Sequence, residues 1–157
     1  MENDQPAADA FESMMGSIEF PLSKYLFGMA LVAILCGLFL CITFTQSCLN
    51  KLFDFKWNKS YFQSVFEKTF LKNSAGLLLV IMTLMELLSG LGLAVGIVVA
   101  FCCFDTTILF TGLGLSALSL ICLLTGQRIA KDYAGAASLT TYFLIAIAGL
   151  MATALTF

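Results

Sequence analysis

Residues 75 to 125 form a nearly unbroken apolar stretch in which the only charges are Glu86 and Asp105. At about 1.5 Å per residue a single helix of that length would reach roughly 75 Å, whereas a bilayer core is about 30 Å thick. The chain must turn back within it. Gly90, Gly92 and Gly96, followed by Asp105, Thr106 and Thr107, place that turn between Gly96 and Thr107. Two more runs of spanning length flank the stretch, one opening after Pro21 and one after Asp132. The expected helices are about 22–46, 73–98, 104–125 and 133–157. Pro21 suits a first helical position, and Gly126 is placed to end the third helix. With 60% apolar and 11% charged residues, against roughly 25% charged in a soluble domain, the chain reads as a membrane protein.

Backbone polar groups facing lipid must be satisfied within their own segment. Runs of Leu, Ile, Ala and Met without two-residue alternation therefore select helices over a barrel. The expected fold class is all-α, an integral membrane antiparallel four-helix bundle spanning residues 21–157. Gly92 with Gly96, Gly112 with Ser116, and Gly149 supply small side chains where backbones can approach.

Residues 1–20 carry Glu2, Asp4, Asp9, Glu12 and Glu19 and no basic residue. They are read as an acidic tail with little fixed structure at its start, and not as a cleaved secretory signal, which needs a positive n-region. The main extramembrane piece is expected at 47–72. Within it Tyr61, Phe62, Val65, Phe66 and Phe70 recur at helical spacing opposite Gln63, Glu67 and Lys68. This predicts an amphipathic interfacial helix over 60–72, started by Ser60 and Gln63 as a capping box. Trp57, Tyr61, Phe62, Phe66 and Lys68 make it a candidate docking surface for a membrane or peripheral partner. Seven of the eight basic residues fall in the first and third connections, and only Lys24 lies on the other side. By the positive-inside rule both termini are then outside the cytoplasm.

The absence of histidine removes bis-His haem ligation, His-based zinc sites and Ser-His catalytic pairs. Eight basic against ten acidic residues, with no basic stripe, argues against nucleic acid as a partner. The six cysteines, at 36, 41, 48, 102, 103 and 122, form no Cys-x-x-Cys pair. They read chiefly as packing residues, with a redox or metal-linked role conceivable for adjacent Cys102 and Cys103. No catalytic residue and no metal site is assigned.

Glu86 carries the most information, because an acidic group deep in a membrane helix costs roughly 2.5–3.5 kcal/mol on insertion scales. It should face inward, either protonated or paired, with Thr83, Ser89 and Gly90 forming a small polar face on the same helix. Thr43, Thr45, Gln46, Ser116, Ser119 and Tyr142 are candidate neighbours from other helices. Two readings stay open: a site for a quinone or other polar head group or a proton, and an interhelical hydrogen bond that fixes packing.

Two segments resemble the DoxX family of four-helix membrane proteins. Gln46-Ser47-Cys48-Leu49-Asn50-Lys51-Leu52 is similar to its small-Leu-x-Lys-Leu segment, with Cys48 where glycine is usual. Glu86-Leu87-Leu88-Ser89-Gly90-Leu91-Gly92-Leu93-Ala94-Val95-Gly96 is similar to its second-helix pattern of a glutamate followed by glycines. The resemblance implies a bacterial inner-membrane protein that serves as an accessory or anchoring subunit of a quinone- or thiol-linked oxidoreductase complex. It carries over Glu86, Gly90, Gly96, Lys51 and Leu52, with a functional role for Glu86 first and Lys51 second. The alternatives are a small proton-coupled transporter using Glu86 and a purely structural scaffold.

Overall fold

The computed structural model describes residues 5–66, 74–103 and 105–156. They form five helices: α1 Gln5–Phe53, α2 Phe55–Val65, α3 Ala75–Cys103, α4 Thr107–Ile129 and α5 Tyr133–Ala154. Four segments are long and apolar enough to cross a membrane: Ser23–Phe53 of α1, Gly76–Cys103 of α3, and α4 and α5 whole.

Side-chain pairs fix the directions of these helices. Cys41 and Cys48 of α1 meet Gly90 and Thr83 of α3 in reverse order, so the two run antiparallel. Gly92 and Gly96 of α3 lie against Gly112 and Leu109 of α4, again in reverse. Thr106 just before α4 meets Thr156 just after α5 at 3.0 Å, and Phe39 of α1 packs on Tyr142 of α5 at 6.1 Å between ring centroids. The four helices close into an antiparallel bundle in the cyclic order α1, α3, α4, α5. Its core is a column of Ala33, Leu40, Phe44, Leu93, Leu109, Leu113, Leu120 and Ala146. Leu35, Ile42, Leu84, Leu91, Val98, Leu118, Leu144 and Met151 are exposed. On a soluble protein such a surface would be an aggregation liability, and on a bundle of spanning length it is the face that lipid covers.

The α3–α4 seam depends on glycine. A Cβ at Gly96 would sit 2.6 Å from Leu109 Cα and 2.7 Å from its backbone nitrogen. These are backbone atoms that no rotamer change can move, so the helices approach this closely only because residue 96 has no side chain.

Several boundaries differ from those read in the sequence. Helix α1 begins at Gln5 and runs through Pro21, although a proline there cannot donate to the carbonyl of Ser17. Ala7, Ala8, Ala10, Met14 and Met15 are strong helix formers. At the other end α1 continues past Gln46 to Phe53, because nothing in Ser47–Phe53 breaks a helix. The interfacial helix starts at Phe55, and Ser60 sits inside it bonded to Lys56 O. The expected capping box is therefore not formed. Asp54 alone separates α1 from α2, and the backbone ladder crosses it through Asp54 N to Asn50 O and Asn58 N to Asp54 O. The Asn58 amide also donates to both of those carbonyls. The part of the expected interfacial helix over 67–72, including Lys68, lies outside the described residues.

Gly126 does not end α4, which runs to Ile129. The left-handed position falls on Lys131, at φ 62°. Asp132 N bonds to Gln127 O at 2.9 Å and Lys131 N to Arg128 O at 3.2 Å, the pair of bonds that closes a Schellman turn. Asp132 then caps α5, its side chain accepting from Gly135 N at 3.0 Å.

Candidate functional site

Lys51 and Glu86 meet between α1 and α3. Lys51 Nζ lies 2.5 Å from Glu86 Oε1 and 3.0 Å from Ser47 Oγ. Side-chain exposure is 13% for the lysine and 1% for the glutamate, so the pair is almost wholly withdrawn from the surface. Helix geometry explains how a residue near the end of α1 reaches so far. Cα–Cβ bonds tilt toward the helix N-terminus, which directs Lys51 back along α1 into the bundle. The same tilt on antiparallel α3 directs Glu86 toward the end where Lys51 sits. Glu86 is eleven residues into α3, about 16 Å from its start.

The neighbours expected for Glu86 from other helices, Thr43, Thr45, Gln46, Ser116, Ser119 and Tyr142, are all uncharged, and the partner it has is Lys51 instead. Cutting the first helix at 46, on bilayer length, had put Lys51 in a connection. The sequence does hold a signal: Thr43, Ser47 and Lys51 recur every four residues and share one face of α1. Ser47 was not singled out by sequence reasoning, and it holds the ammonium group.

Coordination of the pair is incomplete. Glu86 Oε2 is buried and has no hydrogen-bond partner among the described residues. An ammonium group has three N–H donors, and Lys51 uses two of them, on Ser47 and Glu86. Among the described residues the pair therefore keeps one N–H donor and one carboxylate acceptor without a partner.

Two cavities adjoin Glu86. One, of about 130 Å³, lies between α1 and α3 and is lined by Thr45, Cys48, Leu49, Leu52, Leu87, Gly90 and Leu91 besides Glu86. Leu49, Leu52, Leu87 and Leu91 are exposed, so this crevice opens on the face that lipid covers. Gly90 lines it without a side chain, and a Cβ there would sit at ordinary contact distance, 3.4 Å, from Thr45 Oγ1. The other, of about 90 Å³, is lined by Glu86 with Thr43, Phe44, Ser47, Leu139 and Tyr142. It has room for several waters, each of which needs about 10–15 Å³ on this measure.

The polar face expected around Glu86 is mostly committed elsewhere. Thr83 Oγ1 bonds to Leu79 O and Ser89 Oγ to Met85 O, both at 2.8 Å, so neither hydroxyl proton goes to the carboxylate. Thr43 and Ser116 likewise bond back to their own helices, at Phe39 O and Gly112 O. Thr45 and Tyr142 line the two cavities, and buried Ser119 Oγ has no partner among the described residues. Of the aromatic residues proposed for docking, Trp57 and Tyr61 are exposed and stacked at 5.7 Å. Phe66 is buried against the bundle.

A family model described as DoxX matches residues 32–125, more than half of the chain. The match runs from α1 through α4 and includes both Lys51 and Glu86. No curated protein and no solved structure matches the chain.

Proposed function

The chain belongs to the DoxX family, and from that premise we propose that it is an accessory membrane subunit of a quinone-linked oxidoreductase complex whose Lys51–Glu86 pair receives a quinone head group. The observation that carries this reading is the incomplete coordination of a buried ion pair whose carboxylate residue, Glu86, lines a lipid-facing crevice. A quinone carries carbonyl acceptors that become hydroxyl donors on reduction. The spare Lys51 N–H and the spare Glu86 Oε2 match both forms.

The leucine walls of the crevice suit a molecule that travels in the bilayer with an apolar tail. When bound, the quinone would supply two-electron, two-proton redox chemistry. The chain's own residues do the rest: Lys51 donates a hydrogen bond, Glu86 accepts one or holds a proton at Oε2, and Glu86 also lines the cavity toward Tyr142, which has space for water. We place the protein in a bacterial inner membrane with both termini outside. Lys56, Lys59, Arg128 and Lys131 all lie at the end of the bundle where α1 and α4 finish, and basic residues there stay cytoplasmic.

The test is titration of the purified protein with a short-chain ubiquinone, read by thermal unfolding and by equilibrium binding. Saturable binding that Glu86→Gln and Lys51→Met each weaken supports the assignment. If the wild-type protein neither binds nor is stabilised, and Glu86→Gln leaves electron transfer in native membranes intact, the redox role is lost and the pair is a packing device.

A further inference from the structure

A third cavity lies between α2, the start of α3 and the α4–α5 turn, with Leu78 and Met82 of α3 and Leu123 of α4 on its wall. It has a volume of about 90 Å³, and Tyr61, Phe62 and Phe66 contribute its aromatic wall. The rings are in mutual contact, Tyr61 to Phe62 at 6.5 Å and Phe62 to Phe66 at 5.9 Å between centroids. Among the described residues the polar lining comes from Gln127 and Asp132, with no Lys or Arg. Gln127 Oε1 is buried without a hydrogen-bond partner among the described residues. Asp132 uses Oδ1 to cap α5, which leaves its second oxygen as an acceptor.

Gly135 makes this arrangement possible. A Cβ there would collide with Asp132 Oδ2 and lie 2.7 Å from Gln127 Nε2. The missing side chain is what lets the carboxylate and the amide share the floor of the cavity.

Aromatic faces, a carboxylate and an unsatisfied carbonyl oxygen all attract the same thing, a cation that carries hydrogen-bond donors. A quaternary ammonium would satisfy the rings and the charge but leave Gln127 Oε1 unpaired, which costs free energy in a buried place. We propose that this cavity binds the ammonium group of a primary amine. Two sources present that chemistry at a membrane surface, the head group of an ethanolamine phospholipid and a free alkylamine.

The only tryptophan in the chain, Trp57, stacks on Tyr61 at the rim and reports occupancy by fluorescence. The full-length protein in phosphatidylcholine nanodiscs is titrated with ethylammonium chloride and, separately, with tetramethylammonium chloride. Ethylammonium is expected to give a saturable change and to bind about tenfold or more tighter, the worth of a hydrogen bond to a charged group. Asp132→Asn removes the charge while keeping a good cap, and Gln127→Met removes the acceptor at similar volume. Each should weaken ethylammonium about tenfold.

Repeating the titration in phosphatidylethanolamine nanodiscs separates the two sources. A weaker apparent affinity there shows that the lipid competes for the cavity, and an unchanged one assigns it to free amines. Equal binding of the two ammonium ions, no saturable change in the wild type, or wild-type titration by both variants overturns the proposal. Should either variant unfold, judged by its melting curve without amine, the other decides.

Discussion

Removing Lys51 should cost more than neutralising Glu86, and the structure gives the size of the difference. Lys51→Met keeps most of the side-chain volume and deletes the ammonium. Glu86, 1% exposed, would then be an acidic side chain buried without its partner. Breaking a buried pair from one side typically costs about 3–5 kcal/mol. Glu86→Gln leaves an amide oxygen that can still accept from Lys51, and the lysine, 13% exposed, can extend its flexible stem toward the nearby helix end. A loss of about 1–2 kcal/mol is expected there, the usual scale for one weakened buried hydrogen bond.

The double variant Lys51→Met/Glu86→Leu leaves neither charge behind. It should be more stable than Lys51→Met alone, with a coupling of about 2 kcal/mol or more between the sites. Reversible unfolding in mixed micelles of wild type, Lys51→Met, Glu86→Leu and the double variant, compared under one set of conditions, measures the cycle. Additive losses, or a Lys51→Met variant within about 0.5 kcal/mol of wild type, would refute the account of the pair as mutually dependent.

Gly96→Ala should destabilise the bundle by about 1–3 kcal/mol, because the new methyl meets the Leu109 backbone and the helices must separate; the unfolding free energy checks it. Lys131→Gly should stabilise by about 1 kcal/mol, since the left-handed conformation at φ 62° strains any residue with a Cβ; a lower unfolding midpoint would contradict this. Asp105 lies before α4, where hydrogen bonds from the Thr107 side chain and backbone hold its carboxyl below the ordinary carboxylate value. With the folded value depressed, that contribution is present above the unfolded value and is lost as pH falls through the folded one. Asp105→Asn should flatten this acid-side slope, and a pH series of melting temperatures reads it.

The four spans and their antiparallel order were legible in the sequence because bilayer thickness imposes a length on uncharged runs. The turn after Cys103 falls inside the interval marked by Gly96 and Thr107. Glu86 was legible as inward-facing for the same reason, since a lone carboxylate has few other places to go. Its partner was not. Bilayer length says where a helix must be apolar, not where it must stop, and α1 runs on through Ser47–Phe53 to a break at Asp54. The start of α2 was misplaced because Ser60 and Gln63 match a capping pattern, whereas Asp54 and Asn58 satisfy the carbonyls with a less familiar one. Gly126 was taken for the end of α4, yet the turn geometry falls on a lysine. The cavity under α2 was not legible at all, because it joins α2 to the α4–α5 turn across more than sixty positions of chain.

The single-residue junction at Asp54 makes α1 and α2 one mechanical piece. Hydrogen bonds bridge it from both the backbone and Asn58, so it is an elbow with a set angle and not a swivel. Lys51 is fastened to α3 one turn before that elbow. The grip on Glu86 and the aromatic arm that carries Trp57 and Tyr61 are thus held on one continuous run of helix, a few residues apart.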